Sequence, residues 1–88
     1  MSQWVTYGDH VSVDHESNVP PYLQVAAILR AEIEAGSRVP RTRLPSIAGL
    51  VQEYGIARTT AAKALKVLVD EGLAEVVPGW GTYVAGKE

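Results

Sequence analysis

Two segments with helical apolar spacing flank a single glycine, Gly55, and this arrangement restricts the folds open to the chain. The shorter segment precedes the glycine, with Ile47, Leu50, Val51 and Tyr54 on one face. The longer segment covers about residues 58–71, with apolar positions at Ala61, Ala64, Leu65, Leu68 and Val69. Both match the period of an amphipathic helix. A glycine between two such helices permits a sharp change of direction, so the sequence predicts a helix-turn-helix unit.

The second of these helices opens with three hydrogen-bonding side chains, those of Arg58, Thr59 and Thr60. In helix-turn-helix proteins the N-terminal end of the second helix contacts base edges in the major groove. Arginine can bind guanine through two parallel hydrogen bonds, and threonine hydroxyls can contact bases or phosphates. Lys63 and Lys66 fall on the face that the apolar residues leave open. The pattern favours DNA binding at the start of this helix and core packing along its second half.

The elements on either side predict the rest of the fold. Apolar residues at helical spacing follow Pro20 and Pro21 and end before Gly36, which indicates a first helix. A loop is expected over residues 36–43, and Ser46 is expected to cap the second helix. Two segments of strand composition, residues 73–77 and 82–85, flank a turn. The predicted class is mainly α with a small β-hairpin (α+β). It is a winged helix-turn-helix, with three helices followed by a two-stranded antiparallel wing.

Positive charge is concentrated in the predicted helix-turn-helix, although the whole chain carries a formal net charge of -2. Within residues 37–66 the single acid is Glu53, and the cations are Arg38, Arg41, Arg43, Arg58, Lys63 and Lys66. The segments before and after it are acidic. Clustered lysine and arginine are typical of a nucleic-acid contact surface. The charge distribution therefore favours DNA as the partner, even though the net charge alone does not.

Other classes of protein have little support in the sequence. The chain has no cysteine, and its two histidines, His10 and His15, lie near the N-terminus without obvious partners for metal binding or catalysis. We therefore expect no enzyme activity, no cofactor and no metal. No segment resembles a signal peptide or a membrane span, which predicts a cytoplasmic protein without membrane contact. The short glycine pattern at residues 79–81 fits a hairpin turn better than a nucleotide-binding loop.

The motifs of residues 21–85 together resemble the DNA-binding domain of the GntR family of bacterial transcription regulators. The similar pieces are PYLQVAAILRAEIEAG, RLPS, YGIARTTAAKAL, EGLAEVVPG and GWGTYV, in the family's order and spacing. The preceding VSVDHESNVPPY is similar to the lead-in of the YtrA group. The resemblance implies a DNA-binding domain over residues 19–86. Residues 1–18 mix polar residues with the short alternating run Val11-Ser12-Val13, which indicates a flexible arm or a weak edge strand.

The resemblance also implies roles for individual residues. Arg58, Thr59 and Thr60 match the recognition-helix signature, which contacts bases and phosphates in the major groove. Ser46 matches the start of the second helix, where a backbone N–H and the hydroxyl can hold a phosphate. Arg43 has two open interpretations, a phosphate contact or a solubilising charge.

Several positions depart from the pattern that the resemblance implies. Ala48 and Ala62 stand where arginines are expected, Ala57 stands in place of a serine, and Lys63 stands in place of a glutamate. Two cationic contacts are therefore missing, and Lys63 is a candidate replacement for one of them. Each phosphate contact changes the logarithmic salt slope of duplex binding by about 0.9. We expect weaker and less salt-sensitive DNA binding than in a typical family member.

The predicted wing carries Gly79 and Gly81, which match the glycines of a wing that reaches toward the minor groove. Between them, Trp80 allows two interpretations. It can stack on a sugar or wedge at a base step, as apolar residues of minor-groove binders do. Alternatively, it can fold back on Trp4 or Tyr7, or on the side of the hairpin, because exposed tryptophan normally finds apolar cover.

The function that these patterns favour is sequence-specific binding of double-stranded DNA by a transcription regulator, more commonly a repressor in the family. The alternative is a winged-helix module for protein interaction, with weakened or lost DNA binding. No effector-binding domain is expected within 88 residues. Whether they are a complete chain or an excised module is left open. We expect a monomer in solution that can pair on palindromic DNA.

Overall fold

The computed structural model describes residues 6–7, 10–11 and 13–86. Three helices and four short strands make up this part of the chain. They are β1 Thr6–Tyr7, β2 His10–Val11, α1 Pro21–Glu34, α2 Ile47–Tyr54, α3 Arg58–Asp70, β3 Ala74–Val77 and β4 Gly81–Val84. The three helices precede the antiparallel β3–β4 hairpin, which confirms the predicted winged helix-turn-helix. Strands β1 and β2 pair in a separate hairpin before α1.

Local chemistry sets both ends of α2. The Ser46 Oγ accepts a hydrogen bond from the Gly49 N–H at 3.0 Å, so serine is the N-cap, as predicted. At the other end, Gly55 has a φ of 66° and closes the helix in the left-handed conformation. Glycine adopts this conformation without the steric penalty of a Cβ. The chain can therefore turn within three residues and begin α3 at Arg58.

The core lies where α1 and α3 pack together and where both meet the wing. Its fully buried members come from separate elements and include Leu29 of α1, Leu50 of α2, Leu68 of α3 and Val84 of β4. At its edge, the Arg30 guanidinium makes two hydrogen bonds to the Glu71 carboxylate, at 2.8 and 2.9 Å. These contacts connect the C-terminal end of α3 to α1.

The wing has a third segment that the sequence did not predict. Residues 41–44, expected as a loop and its exit, run antiparallel along β4, with Arg43 opposite Tyr83. The Leu44 N–H donates to the Thr82 carbonyl, and the Val84 N–H donates to the Thr42 carbonyl, both at 2.8 Å. Leu44 is buried in the core, and this burial brings the segment against the free edge of β4. The entry to α2 is thereby attached to the wing.

The residues before α1 are fastened to it by a buried amide. Gln24 is only 3% exposed, and its Oε1 accepts a hydrogen bond from the Asp14 N–H at 2.8 Å. Its Nε2 donates to the carbonyls of Asp14 and Val19, at 2.8 and 2.7 Å. These three bonds connect α1 to Asp14 of the predicted arm and to Val19, the first residue of the predicted domain. The boundary at residue 19 remains a prediction.

Candidate nucleic-acid interface

The N-terminal end of α3 lies at the protein surface. Arg58 and Thr59 are exposed, and Thr60 is half-buried beside the core residue Ala61. The residue before the helix, Ala57, makes no side-chain capping bond. Backbone N–H groups in the first turn of a helix lack partners within the helix. This end of α3 therefore presents side-chain and main-chain donors outward together.

A cleft beside this helix end brings together residues that lie far apart in the sequence. It measures about 310 Å³, and the predicted site residues that line it are Arg43, Ser46, Arg58 and Gly81. Ala48 lines it too, with only a methyl group. Thr59, Thr60, Lys63, Gly79 and Trp80 do not line this cleft. The structure therefore joins the start of α2, the start of α3 and the wing on one surface.

Arg43 lies directly against Gly81 of the wing. A Cβ built on Gly81 would lie 3.0 Å from the Arg43 Nε and 3.3 Å from its Nη2. The φ of Gly81 is 129°, a value that residues with a side chain rarely adopt. Glycine at this position therefore meets two requirements, the backbone conformation of the strand start and the space that the guanidinium occupies.

The two lysines of α3 are already engaged within the protein. The Lys63 Nζ lies 5.6 Å from the centre of the Tyr22 ring, within the range of a cation–π contact. The Lys66 Nζ lies 3.0 Å from the Asp70 carboxylate, one helical turn away. Arg58, in contrast, has no ion-pair partner among residues 13–86. It is the cation of α3 that is most available to a ligand.

The turn between β3 and β4 exposes apolar surface. Trp80 is 68% exposed at the tip and Val76 is 62% exposed on β3. The Trp80 N–H donates to the Val77 carbonyl at 2.9 Å, so the backbone of the turn is ordered. At 68% exposure, most of the residue is left uncovered by the side of the hairpin, which disfavours that part of the second interpretation. The proposed contact with Trp4 or the Tyr7 side chain lies outside the described residues.

Among residues 13–86, the shifted pKa values belong to Arg30, Tyr54 and Glu71, away from the cleft. Burial raises the pKa of Tyr54 to about 12, so this phenol stays protonated at neutral pH. Within the described part of the chain, no three His, Asp or Glu side chains are placed to hold a metal ion. No described helix is long and apolar enough to cross a membrane.

Residues 21–84 match the family model described as bacterial regulatory proteins of the gntR family. The chain belongs to the gntR family. This confirms the resemblance drawn from the sequence, and the three helices with their two-stranded wing are the DNA-binding fold of that family. The predicted roles of individual residues in DNA binding stay predictions.

Three known proteins illustrate how similar the chain is to other gntR members. It is 35% identical to the HTH-type transcriptional repressor NagR of Bacillus subtilis (strain 168) over 75 residues, 85% of this chain and 31% of NagR. It is 36% identical to YtrA from Sulfolobus acidocaldarius, with a TM-score of 0.78, covering 86% of this chain and 80% of the YtrA chain. It is also 36% identical to the DNA-binding domain of AraR in complex with operator ORE1. That TM-score is 0.74, over 83% of this chain and 89% of the AraR chain.

The chain spans about a third of the length of curated relatives such as NagR, at 31%. These relatives are named as regulators and not as enzymes. Because most of the NagR sequence has no counterpart in the match, its activity as a whole protein is not carried over to this chain.

Sequence reasoning missed two residues that contact the lysines of α3. Tyr22 engages Lys63 from α1, and Asp70 pairs with Lys66. The Lys66–Asp70 pair carries a local signal, because opposite charges four residues apart on a helix face each other. Tyr22 and Lys63 lie on different helices, 41 positions apart, so no local pattern indicates their contact.

Proposed function

We propose that this chain binds a specific sequence of double-stranded DNA as a transcription regulator, acting as a repressor in the cytoplasm. The observation that carries the proposal is Arg58, exposed at the N-terminal end of α3 and lining one cleft with Ser46 and Gly81. In winged helix-turn-helix proteins this end of the second helix enters the major groove. The solved complex of the AraR domain with its operator supports the same partner for this chain.

In this proposal α3 lies in the major groove and each residue of its first turn has a role. Arg58 makes a bidentate contact to a guanine, which is the commonest specific contact of arginine with DNA. Thr59 and Thr60 contact bases or phosphates through their hydroxyls. Lys63 contributes a phosphate contact if its ammonium group leaves the Tyr22 ring. Ser46 positions the start of α2 against the phosphate backbone of the DNA.

The wing approaches the minor groove beside the bases that α3 contacts. Gly79 and Gly81 shape its turn, and Trp80 is exposed between them. An exposed indole at this position can stack on a sugar or wedge at a base step. The chain is proposed to be a monomer in solution, with two copies pairing on a palindromic operator. Sedimentation without DNA tests this point, and a tight dimer there would contradict it.

The test of the proposed function is selection of bound sequences from a random duplex library, repeated with Arg58→Ala. We expect the wild type to enrich a defined sequence and the variant to lose preference at one base pair, with a cost of about 1–3 kcal/mol. Lys66→Ala is the matched control on the same helix, because the Lys66 Nζ is paired with Asp70. We expect the control to keep the wild-type preference at every position.

The alternative function, a protein-interaction module, gives a different outcome in a second assay. Labelled protein is titrated with the selected duplex at low salt, and the backbone amide signals of residues 58–66 are followed. Shifts at these signals support DNA binding through α3. Unchanged signals on adding DNA, together with shifts on adding another protein, would support the alternative.

A further inference from the structure

Arg43 is held in place by the backbone on both sides of it. It lies opposite Tyr83 in an antiparallel bridge, between the hydrogen bonds that Thr42 and Leu44 make with β4. Residues opposite each other in an antiparallel pair project to the same face, and the diagonal neighbour two positions away lies within reach of a long side chain. That neighbour is Gly81. The pairing therefore directs the Arg43 side chain toward the start of β4.

Gly81 provides the space for the Arg43 side chain. A Cβ at residue 81 would come within 3.0 Å of the Arg43 Nε, which is closer than carbon and nitrogen normally approach. Gly79, two residues earlier in the same turn, has a φ of 81°, but a Cβ there would meet nothing within 4 Å. Both glycines suit the backbone, and only Gly81 also makes room for an arginine.

The cleft around this guanidinium suits an anion. Among the described residues, its lining includes two arginines, Arg43 and Arg58, and no carboxylate. Neither arginine takes part in a salt bridge within residues 13–86. Ala48 lines the same cleft with a methyl group, so its side chain leaves the space open. A planar guanidinium binds a phosphate through two parallel hydrogen bonds, which neither alanine nor serine can do.

We propose that Arg43, positioned by Gly81 and the edge of β4, binds a backbone phosphate of the duplex, while Arg58 binds an adjacent base. This phosphate contact joins the wing to the helix-turn-helix, because the arginine belongs to the entry of α2 and its position depends on a wing glycine. The inference rests on the proposed function, since it needs the chain to bind duplex DNA. It deepens that function by identifying a non-specific contact and the residue that positions it.

The first test is the salt dependence of binding by Arg43→Ala, measured on the selected duplex and on a scrambled duplex. Loss of one phosphate contact reduces the logarithmic salt slope by about 0.9. When salt rises from about 50 to 200 mM, the wild type should therefore lose about 3.5-fold more affinity than the variant. Both duplexes should weaken alike, because a phosphate contact carries no sequence information. An unchanged salt slope would overturn the proposal.

The second test compares Gly81→Ala and Gly79→Ala, each made alone and together with Arg43→Ala. If Gly81 acts by positioning Arg43, Gly81→Ala weakens binding more in the wild type than in the Arg43→Ala background, where only the strain of the backbone at residue 81 remains. Gly79→Ala strains the same turn without touching Arg43, so its effect should be equal in both backgrounds. A Gly81→Ala effect as large without Arg43 as with it would show that Gly81 acts through the wing backbone alone, against the proposal.

A rescue variant separates this proposal from the folding of the wing and from the proposed function. The arginine introduced by Ala48→Arg lies in the same cleft. Added to the Arg43→Ala variant, it should return the salt slope to the wild-type value. A slope that stays reduced would count against the cleft as the phosphate site. Arg58→Ala is measured alongside. If Arg58→Ala changes the sequence preference and Arg43→Ala leaves the salt slope intact, only the present inference fails. If the wild type enriches no duplex sequence, the proposed function itself fails.

Discussion

Removing residues 1–18 tests where the folded domain begins. The sequence predicts a boundary at residue 19, yet the buried Gln24 of α1 makes two of its three hydrogen bonds with Asp14. It accepts one from the Asp14 N–H and donates the other to the Asp14 carbonyl. The shortened chain would leave a buried amide with only the Val19 carbonyl as a partner. Val13, which packs against the core, would be lost too. We therefore expect the shortened chain to fold with reduced stability.

The magnitude follows from the two hydrogen bonds. Each intramolecular hydrogen bond contributes about 0.5–1.5 kcal/mol net, so losing both costs about 1–3 kcal/mol. In a domain of this size, 2 kcal/mol corresponds to a fall in Tm of about 8–16 °C. A chain that begins at residue 13 keeps Asp14 and its two hydrogen bonds to Gln24, so it is the matched control. Urea denaturation followed by circular dichroism measures the free energy of unfolding of all three chains.

Gln24→Ala distinguishes the amide from other effects of shortening the chain. In the full chain it removes three hydrogen bonds at once, whereas in the chain beginning at residue 19 only the bond to Val19 remains to be lost. The substitution should therefore destabilise the full chain more than the shortened one. Equal costs in the two backgrounds, or no loss of stability on removing residues 1–18, would refute this account of Gln24.

Three further predictions concern the elements that hold the interface in place. Ser46→Ala removes the N-cap of α2 and should lower the free energy of unfolding by about 1 kcal/mol in urea denaturation. Leu50→Ala, at a fully buried position, should lower it by about 2–5 kcal/mol in the same assay. The Arg30 guanidinium lowers the pKa of Glu71 in the folded state, so this contact stabilises the protein above the unfolded pKa. That stabilisation is lost as pH falls through the folded pKa, so thermal melts of Glu71→Gln should match the wild type at low pH and fall below it at neutral pH.

Much of the fold could be predicted because its signals are local. Ser46 and Gly55 mark the ends of α2 by capping chemistry that acts over three or four residues. The period of α3 identifies its buried face, and strand composition identifies the wing. The pairing of residues 41–44 with β4 could not be predicted in this way, because it depends on a free strand edge some 40 positions later. Gln24 was missed for a related reason, since a buried glutamine is recognised only when its distant partners are known.

The candidate site divides along the same line. Arg58 stands out in the sequence because a helix start has a recognisable pattern, and the structure finds it exposed there. The closeness of Arg43 and Gly81 has no local pattern, because it follows from the unpredicted edge pairing. The sequence presents Lys63 as an unpartnered cation, whereas in the structure its ammonium group lies over the Tyr22 ring. The count of charges locates the basic segment in the sequence. Only the contacts in the structure show which of its cations have no partner within the protein and are available to bind DNA.

Five of the six cations of residues 37–66 fall into two groups on this basis. Arg38 is paired with Glu32 at 2.6 Å, Lys66 is paired with Asp70, and Lys63 lies over an aromatic ring. Arg43 and Arg58 have no ion-pair partner among residues 13–86. An internal pair must open before its cation can neutralise a phosphate, and that opening opposes binding. The paired cations should therefore contribute less to DNA affinity than their number suggests.

The salt slope of binding measures how many cations become available. If Arg43 neutralised one phosphate, Arg58 contacted a base and the paired cations stayed in place, the slope would be about -0.9 for each bound copy. If all six cations of residues 37–66 took part, it would be about -5.4. A shallow slope means low non-specific affinity, so discrimination between sequences would depend on the contacts of Arg58 with bases. A steep slope would mean that the internal pairs open on DNA, and Lys66→Ala would then reduce it by about 0.9.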